Sequence, residues 1–149
     1  EAGASELTVH ARTKADGYTP PAYWEKIQPI TEALKINVIA NGEIWNNADA
    51  KACLQQSNCQ DIMIGRGAVT TPDLTLCIRE NNDNSILSWQ DLVELQQRFL
   101  SGQFKTEIGM IGRYKQWLGM MTKAYPEAQE LWTKVKKEKQ LEFILQYLK

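Results

Sequence analysis

No apolar run in the sequence approaches the roughly 20 residues that a membrane-crossing helix needs. The strongest, within Ile36 to Ala40 and Ile62 to Ile64, are only a few residues long. No signal-peptide pattern opens the sequence, so a soluble, cytoplasmic protein is the expectation. Cysteine is scarce: the 3 residues Cys53, Cys59 and Cys77 form no CxxC pair, which argues against a disulfide framework and against a zinc site. A single histidine, His10, rules out a multi-histidine metal site, and no metal is expected. Internal repeats and low-complexity tracts are also missing. What remains is a chain of 149 residues, 43% apolar and 23% charged. Those are globular averages, and they exclude a disordered tail or a collagen-like repeat. The net charge of −1 hides an asymmetry: residues 1–84 hold 7 basic against 11 acidic side chains, residues 85–149 hold 10 against 7. The two halves are suited to different partners.

The first half alternates β-branched runs with helical periodicity. Leu7 and Val9 mark a strand over Glu6 to His10, and a polar loop from Arg12 to Pro21 follows. Trp24, Ile27, Ile30 and Leu34 recur at helical spacing, with Pro29 either kinking that helix or starting a fresh one. A largely apolar second strand, Ile36 to Ala40, reads as covered on both faces and stops at Asn41-Gly42. A helix capped near Asn47 runs to about Ser57, and a third strand, Asp61 to Ile64, stops at Gly65-Arg66-Gly67. This βαβαβ rhythm implies a parallel sheet. Beyond Thr70 the pattern is helical only, and the polar linker Glu80 to Ser85 separates an α/β part, residues 1–80, from an all-α part, residues 81–149. In the latter, Ser88 and Asp91 form a capping-box pattern before a helix with Trp89, Leu92, Val93, Phe99 and Leu100 on one face. Ile108, Ile111, Leu118 and Met121 predict the core stripe of the next helix, and a last helix runs from about Pro126 across a lysine run to Leu148. A small helical bundle is expected.

Strands two and three each end in a glycine turn. Neighbouring parallel strands bring such turns side by side. Glycine lets an anion approach the backbone N–H groups, and Arg66 adds a cation. Phosphate sites of (β/α)8 barrels are often built from the loops after strands seven and eight. Simple tight turns remain the other reading of the same residues.

Four ordered blocks, LTVHART with DGY, NVIANGEIW, DIMIGRGA and IGRYKQWL, resemble the bacterial tRNA-dihydrouridine synthases, and the Trp of GEIW with KQWL most resembles the C-type branch. The resemblance spans nearly the whole chain. It implies that the three strands are the sixth to eighth of a TIM-type (β/α)8 barrel that binds FMN, followed by a helical domain that docks tRNA. It also implies reduction of a D-loop uridine, position 16, with NADPH as reductant and placement of a flipped base against the flavin. Block by block, Asn41, Gly42 and Glu43 resemble the turn at the ribityl phosphate region, Gly65 and Arg66 the second phosphate turn, and His10 the histidine near the isoalloxazine ring. Arg12 and Tyr18 lie on the loop expected to overhang the cavity, where the two readings are substrate contact and ordinary loop packing. Ala11 departs from the glycine common in that block.

The first five barrel strands have no counterpart in the sequence, which opens without methionine and so resembles a C-terminal fragment. The resemblance places the acid cysteine and the fifth-strand lysine in the absent part, so none of the three cysteines is assigned as the acid and the chain alone is expected to be inert. Open strand edges predict pairing with the missing barrel half or with another copy of the chain. In the helical half, Arg113 and Lys115 of the IGRYKQWL block are candidates for RNA phosphates, while the run Lys134, Lys136, Lys137 and Lys139 reads either as a further phosphate contact or as a solvated helix face. Trp117, Trp132, Met120 and Met121 read as core. Two rivals stand beside this reading: another FMN-dependent barrel oxidoreductase acting on a small molecule, and a non-catalytic RNA-binding module.

Overall fold

A computed structural model describes residues 3–17, 19–102 and 104–149. Three parallel strands, β1 (Glu6–His10), β2 (Asn37–Asn41) and β3 (Asp61–Met63), form a sheet in the order β1-β2-β3. Pro29 opens a fresh helix: a 3-10 turn at Trp24–Lys26 gives way to α1 (Gln28–Ala33), with the proline in its first turn, where its missing N–H leaves no bond unmade. The next crossover is α2 (Asn47–Ser57), capped one residue earlier than expected, by Asn46, whose side chain accepts from the Asp49 N–H. After β3 come the short helices α3 (Arg66–Thr70) and α4 (Leu74–Arg79).

The sheet is covered on one face only among the described residues. Paired residues of parallel strands share a face, so Val9, Ala40 and Ile62 point one way and His10, Asn41 and Met63 the other. Val38 and Ala40 pack with Ile27, Ala50, Cys53 and Cys59. On the opposite face Ile39 is half-buried and Met63 exposed. The expectation of a β2 strand covered on both faces is therefore corrected: its burial alternates with the two-residue period of a half-covered strand.

Two compact units divide the chain, residues 1–68 with 72–84 and residues 69–71 with 85–149. The polar linker up to Asn84 belongs to the first because the buried Asn47 donates through Nδ2 to Asn81 Oδ1 and Asp83 Oδ1, at 3.0 and 3.1 Å. The second unit is built from α5 (Trp89–Leu100), α6 (Glu107–Met121), α7 (Pro126–Val135) and α8 (Leu141–Gln146). The Ser88–Asp91 capping box is present at the start of α5. Leu92, Val93, Leu100, Ile111, Tyr114, Leu118, Met121, Leu131, Val135, Ile144 and Leu148 form the core. Trp117 and Trp132 pack against it.

Two expectations about this unit fail. Ile108 is 82% exposed and not part of the stripe. At 100° per residue it lies about 110° around the helix from the centre of the buried arc, which Met110 and Tyr114 complete. The last helix is broken between Val135 and Leu141, where the lysine run falls.

Candidate functional site

The ends of the three strands meet across the sheet as one row, since His10 is paired with Asn41 and Asn41 with Met63. Asn41 links that row through its side chain. Its Nδ2 donates to the Met63 carbonyl at 2.7 Å, which turns Oδ1 toward His10 Nδ1, also 2.7 Å away. A carboxamide oxygen only accepts, so Nδ1 carries a proton and donates it, leaving Nε2 as the ring nitrogen not engaged by Asn41.

Beyond this row the two glycine turns lie against each other. Gly42 has φ +131°, a conformation that side chains rarely adopt, and Glu43 follows at φ 50°. Trp24 fixes the turn by donating its indole N–H to the Gly42 carbonyl at 2.8 Å. A Cβ on Gly67 would stand 2.1 Å from the Ile44 carbonyl oxygen, so this glycine is required by chain-to-chain approach. A Cβ on Gly65 would meet nothing within 4 Å: this glycine faces open space.

His10, Arg12, Asn41, Gly42, Glu43, Trp45, Gly65, Arg66 and Gly67 line one cavity of about 240 Å³. All six expected cofactor residues are therefore gathered at one place, with Arg12 among them. Charge there is organised by Glu43. Its Oε1 accepts from Arg12 Nη2 at 2.7 Å and from Arg66 Nη2 at 2.5 Å, and its Oε2 accepts from the Trp45 indole at 2.9 Å. The Arg66 guanidinium lies 5.2 Å from the Trp45 ring centroid. Partial burial pushes the Glu43 carboxyl up, but the bonds from Trp45 and Arg12 and the charges of Arg12 and Arg66 outweigh it and hold the group below its ordinary value.

Arg12 is where the sequence misleads. A loop arginine was expected to overhang the cavity, yet its side chain is 1% exposed and points at Glu43. Of the two readings of this residue, burial at that level and the bond to Glu43 favour packing over a solvent-facing contact. Tyr18 lies outside the described residues. Arg113 is exposed on α6. Lys115, expected to meet RNA phosphates, donates through Nζ to the Lys136 carbonyl at 3.0 Å and to the Glu138 carbonyl. It thus serves the carbonyls left open where α7 ends. Sequence reading missed Trp24 and Trp45; the signal was that a half-buried indole N–H needs an acceptor. Cys53, Cys59 and Cys77 are buried and none borders the cavity. Burial pushes the Cys53 thiol up to about 12.

An anionic group with polar linkers suits this donor set: Arg66 supplies the cation, Gly65 the open approach, Asn41 and His10 the polar wall. The cavity is smaller than the roughly 300–1,000 Å³ of whole-ligand pockets, so these residues suit one anionic end of a larger ligand. Among the described residues no group of three or more His, Cys, Asp or Glu side chains is placed to hold a metal ion, and no helix is long and apolar enough to cross a membrane.

Comparison with known proteins agrees with the sequence blocks. The dihydrouridine synthase family matches residues 1–147. The tRNA-dihydrouridine(16) synthase of Shewanella oneidensis is 47% identical over 152 residues, covering 99% of this chain and 47% of that protein. The proteins of the same name from Pseudomonas putida and Haemophilus influenzae are 43% and 40% identical, covering 93% and 91% of this chain and 44% of each relative. The chain thus spans about half the length of the relatives it matches. With a cavity that gathers the family-like turns and a match along nearly all its length, this chain belongs to the dihydrouridine synthase family.

Proposed function

We propose that the chain is the C-terminal part of a flavin-dependent tRNA-dihydrouridine synthase of the C-type branch, which reduces the D-loop uridine at position 16 to 5,6-dihydrouridine. The observation that carries this reading is the convergence of Asn41–Glu43, Gly65–Arg66 and His10 on one cavity in a member of this family. The relatives' names, all tRNA-dihydrouridine(16) synthase, support the choice of uridine. When bound, FMN supplies the hydride for the uracil ring, with NADPH as its reductant. The chain's own residues bind and orient: Arg66 and the Gly65 backbone hold the phosphate, Asn41, Gly42 and Glu43 wall the neighbouring part, and His10 offers Nε2 to the cofactor. The three strands serve as the sixth to eighth of a (β/α)8 barrel, completed by the other barrel half or by a second copy. The helical unit docks tRNA, with Arg113 as its phosphate contact. None of the buried cysteines serves as the ring acid, so the chain alone is inert, and its setting is the cytoplasm where tRNA is modified.

Titrating the chain with FMN and with tRNA at two salt concentrations tests this. The expected result is a salt-sensitive tRNA contact whose slope falls by about one on Arg113→Ala, together with FMN binding lost on Arg66→Ala. Binding of tRNA with no flavin affinity would favour a non-catalytic RNA-binding module; FMN binding with no tRNA affinity would favour a small-molecule oxidoreductase.

A further inference from the structure

We propose that the break between α7 and α8 is a phosphate-binding site for RNA, formed by Lys134, Lys136, Lys137 and Lys139 and held in shape by Lys115 of α6. This rests on reading the helical unit as a tRNA-docking element and adds to it a site and a positioning residue.

The four ammonium groups are exposed, and none makes an ion pair or a side-chain hydrogen bond among the described residues. The nearby acids are turned elsewhere. Glu138 lies inside the run, yet its Oε1 accepts from the Lys139 and Gln140 N–H groups at 2.7 and 3.1 Å. Glu107 of α6 accepts through its Oε1 from the Leu141 N–H at 3.4 Å. Four positive charges within six residues therefore face solvent while the one carboxylate among them serves the backbone. Such a cluster repels itself in the free protein and is relieved by a ligand whose negative charges are closely spaced, as along a phosphate backbone.

The run is not a helix face, since only Lys134 lies in α7 and the others fall between the helices. Were α7 to continue at about 100° per residue, Lys139 would stand only about 40° around the axis from the buried Val135, on the core side. The break removes it from there. Lys115 Nζ fixes the broken segment from beneath, donating to the Lys136 carbonyl at 3.0 Å and to the Glu138 carbonyl. Carbonyls and N–H groups of the turn are thus both held by side chains, so less backbone freedom is lost when a ligand binds the lysines. Lys115 gives its own N–H groups to those carbonyls and acts on RNA through the turn.

The test is titration of the chain with a tRNA transcript at several salt concentrations, together with hydrogen exchange at the Lys139, Gln140 and Leu141 amides. Lys137→Ala with Lys139→Ala, both at exposed positions, should lower the slope of log affinity against log salt by about two. Lys115→Met should speed exchange at the three amides and lower the slope by clearly more than the roughly one unit of a single lost contact. Combined with the lysine pair it should cost less than the two sets of changes added together. The lysine pair keeps the site testable even where Lys115→Met unfolds the bundle. If that pair leaves the slope unchanged while Arg113→Ala lowers it, the site is wrong and tRNA docking stands. If Lys115→Met costs one unit and adds fully to the lysine pair, Lys115 is itself a contact and its positioning role is wrong. If the wild type shows no salt-sensitive tRNA binding, the docking reading fails and this inference goes with it; capture on phosphatidylserine vesicles in that case would assign the lysines to a membrane surface instead.

Discussion

Gly67 has no room for a methyl group. The 2.1 Å approach of a Cβ there would be to a backbone oxygen, that of Ile44, which cannot rotate away as a side chain would. Gly67→Ala is therefore expected to lower stability by about 1–3 kcal/mol, measured by denaturant unfolding, whereas Gly65→Ala, which meets nothing within 4 Å, should leave it nearly unchanged. Glu43 gives a prediction with a sign. Its folded-state carboxyl titrates below its ordinary value of 4.5, so its contribution is fully present above that value and is lost as the pH falls through the lower folded one. The melting-temperature gap between wild type and Glu43→Gln should be widest near neutrality and close below pH 4.5; a gap that widens on acidification would contradict the ion-pair account. The sequence revealed the glycines and the arginines but not the bond between Arg12 and Glu43. That pair is 31 residues apart, and periodicity within either segment carries no trace of it.

At the scale of elements, local chemistry was readable wherever a bond is made within a few residues. The Ser88–Asp91 cap, the strand ends at His10 and Met63 and the proline start of α1 all fall near their expected places. The breaks were harder. The gap between α7 and α8 is served by Lys115, 21 and 23 residues upstream of the carbonyls it binds, a non-local partner that no window over the lysine run contains. Burial of Tyr114 was equally hidden, because a tyrosine at that position reads as surface or core alike. It is fully buried, donating its hydroxyl to Gln96 Oε1 at 3.0 Å, and the Gln96 Nε2 in turn donates to the Leu92 carbonyl. This ties α6 to α5. Tyr114→Phe leaves the Gln96 oxygen without its donor in a dry place and should cost about 1–3 kcal/mol, while the double variant with Gln96→Leu should lose less than the single changes added together, read from a double-mutant cycle.

For the whole molecule, helix and strand periods change near the polar linker, but the two units divide at Asn84 and exchange residues 69–71, and which sheet face is covered depends on contacts the sequence does not order. Among the described residues β1 and β3 pair only with β2, so each leaves a strand edge unpaired. Sedimentation is expected to find the chain associated at micromolar concentration through those edges; a monodisperse monomer would count against it. The chain also threads its units unevenly. Residues 69–71 belong with the helical unit although 72–84 return to the first, and the Trp117 indole donates to the Val69 carbonyl at 3.0 Å. Cutting the polypeptide at Ser85 therefore does not free an intact bundle: the excised piece leaves behind the three-residue stitch that one of its tryptophans grips, and only a split that carries this stitch along preserves the module.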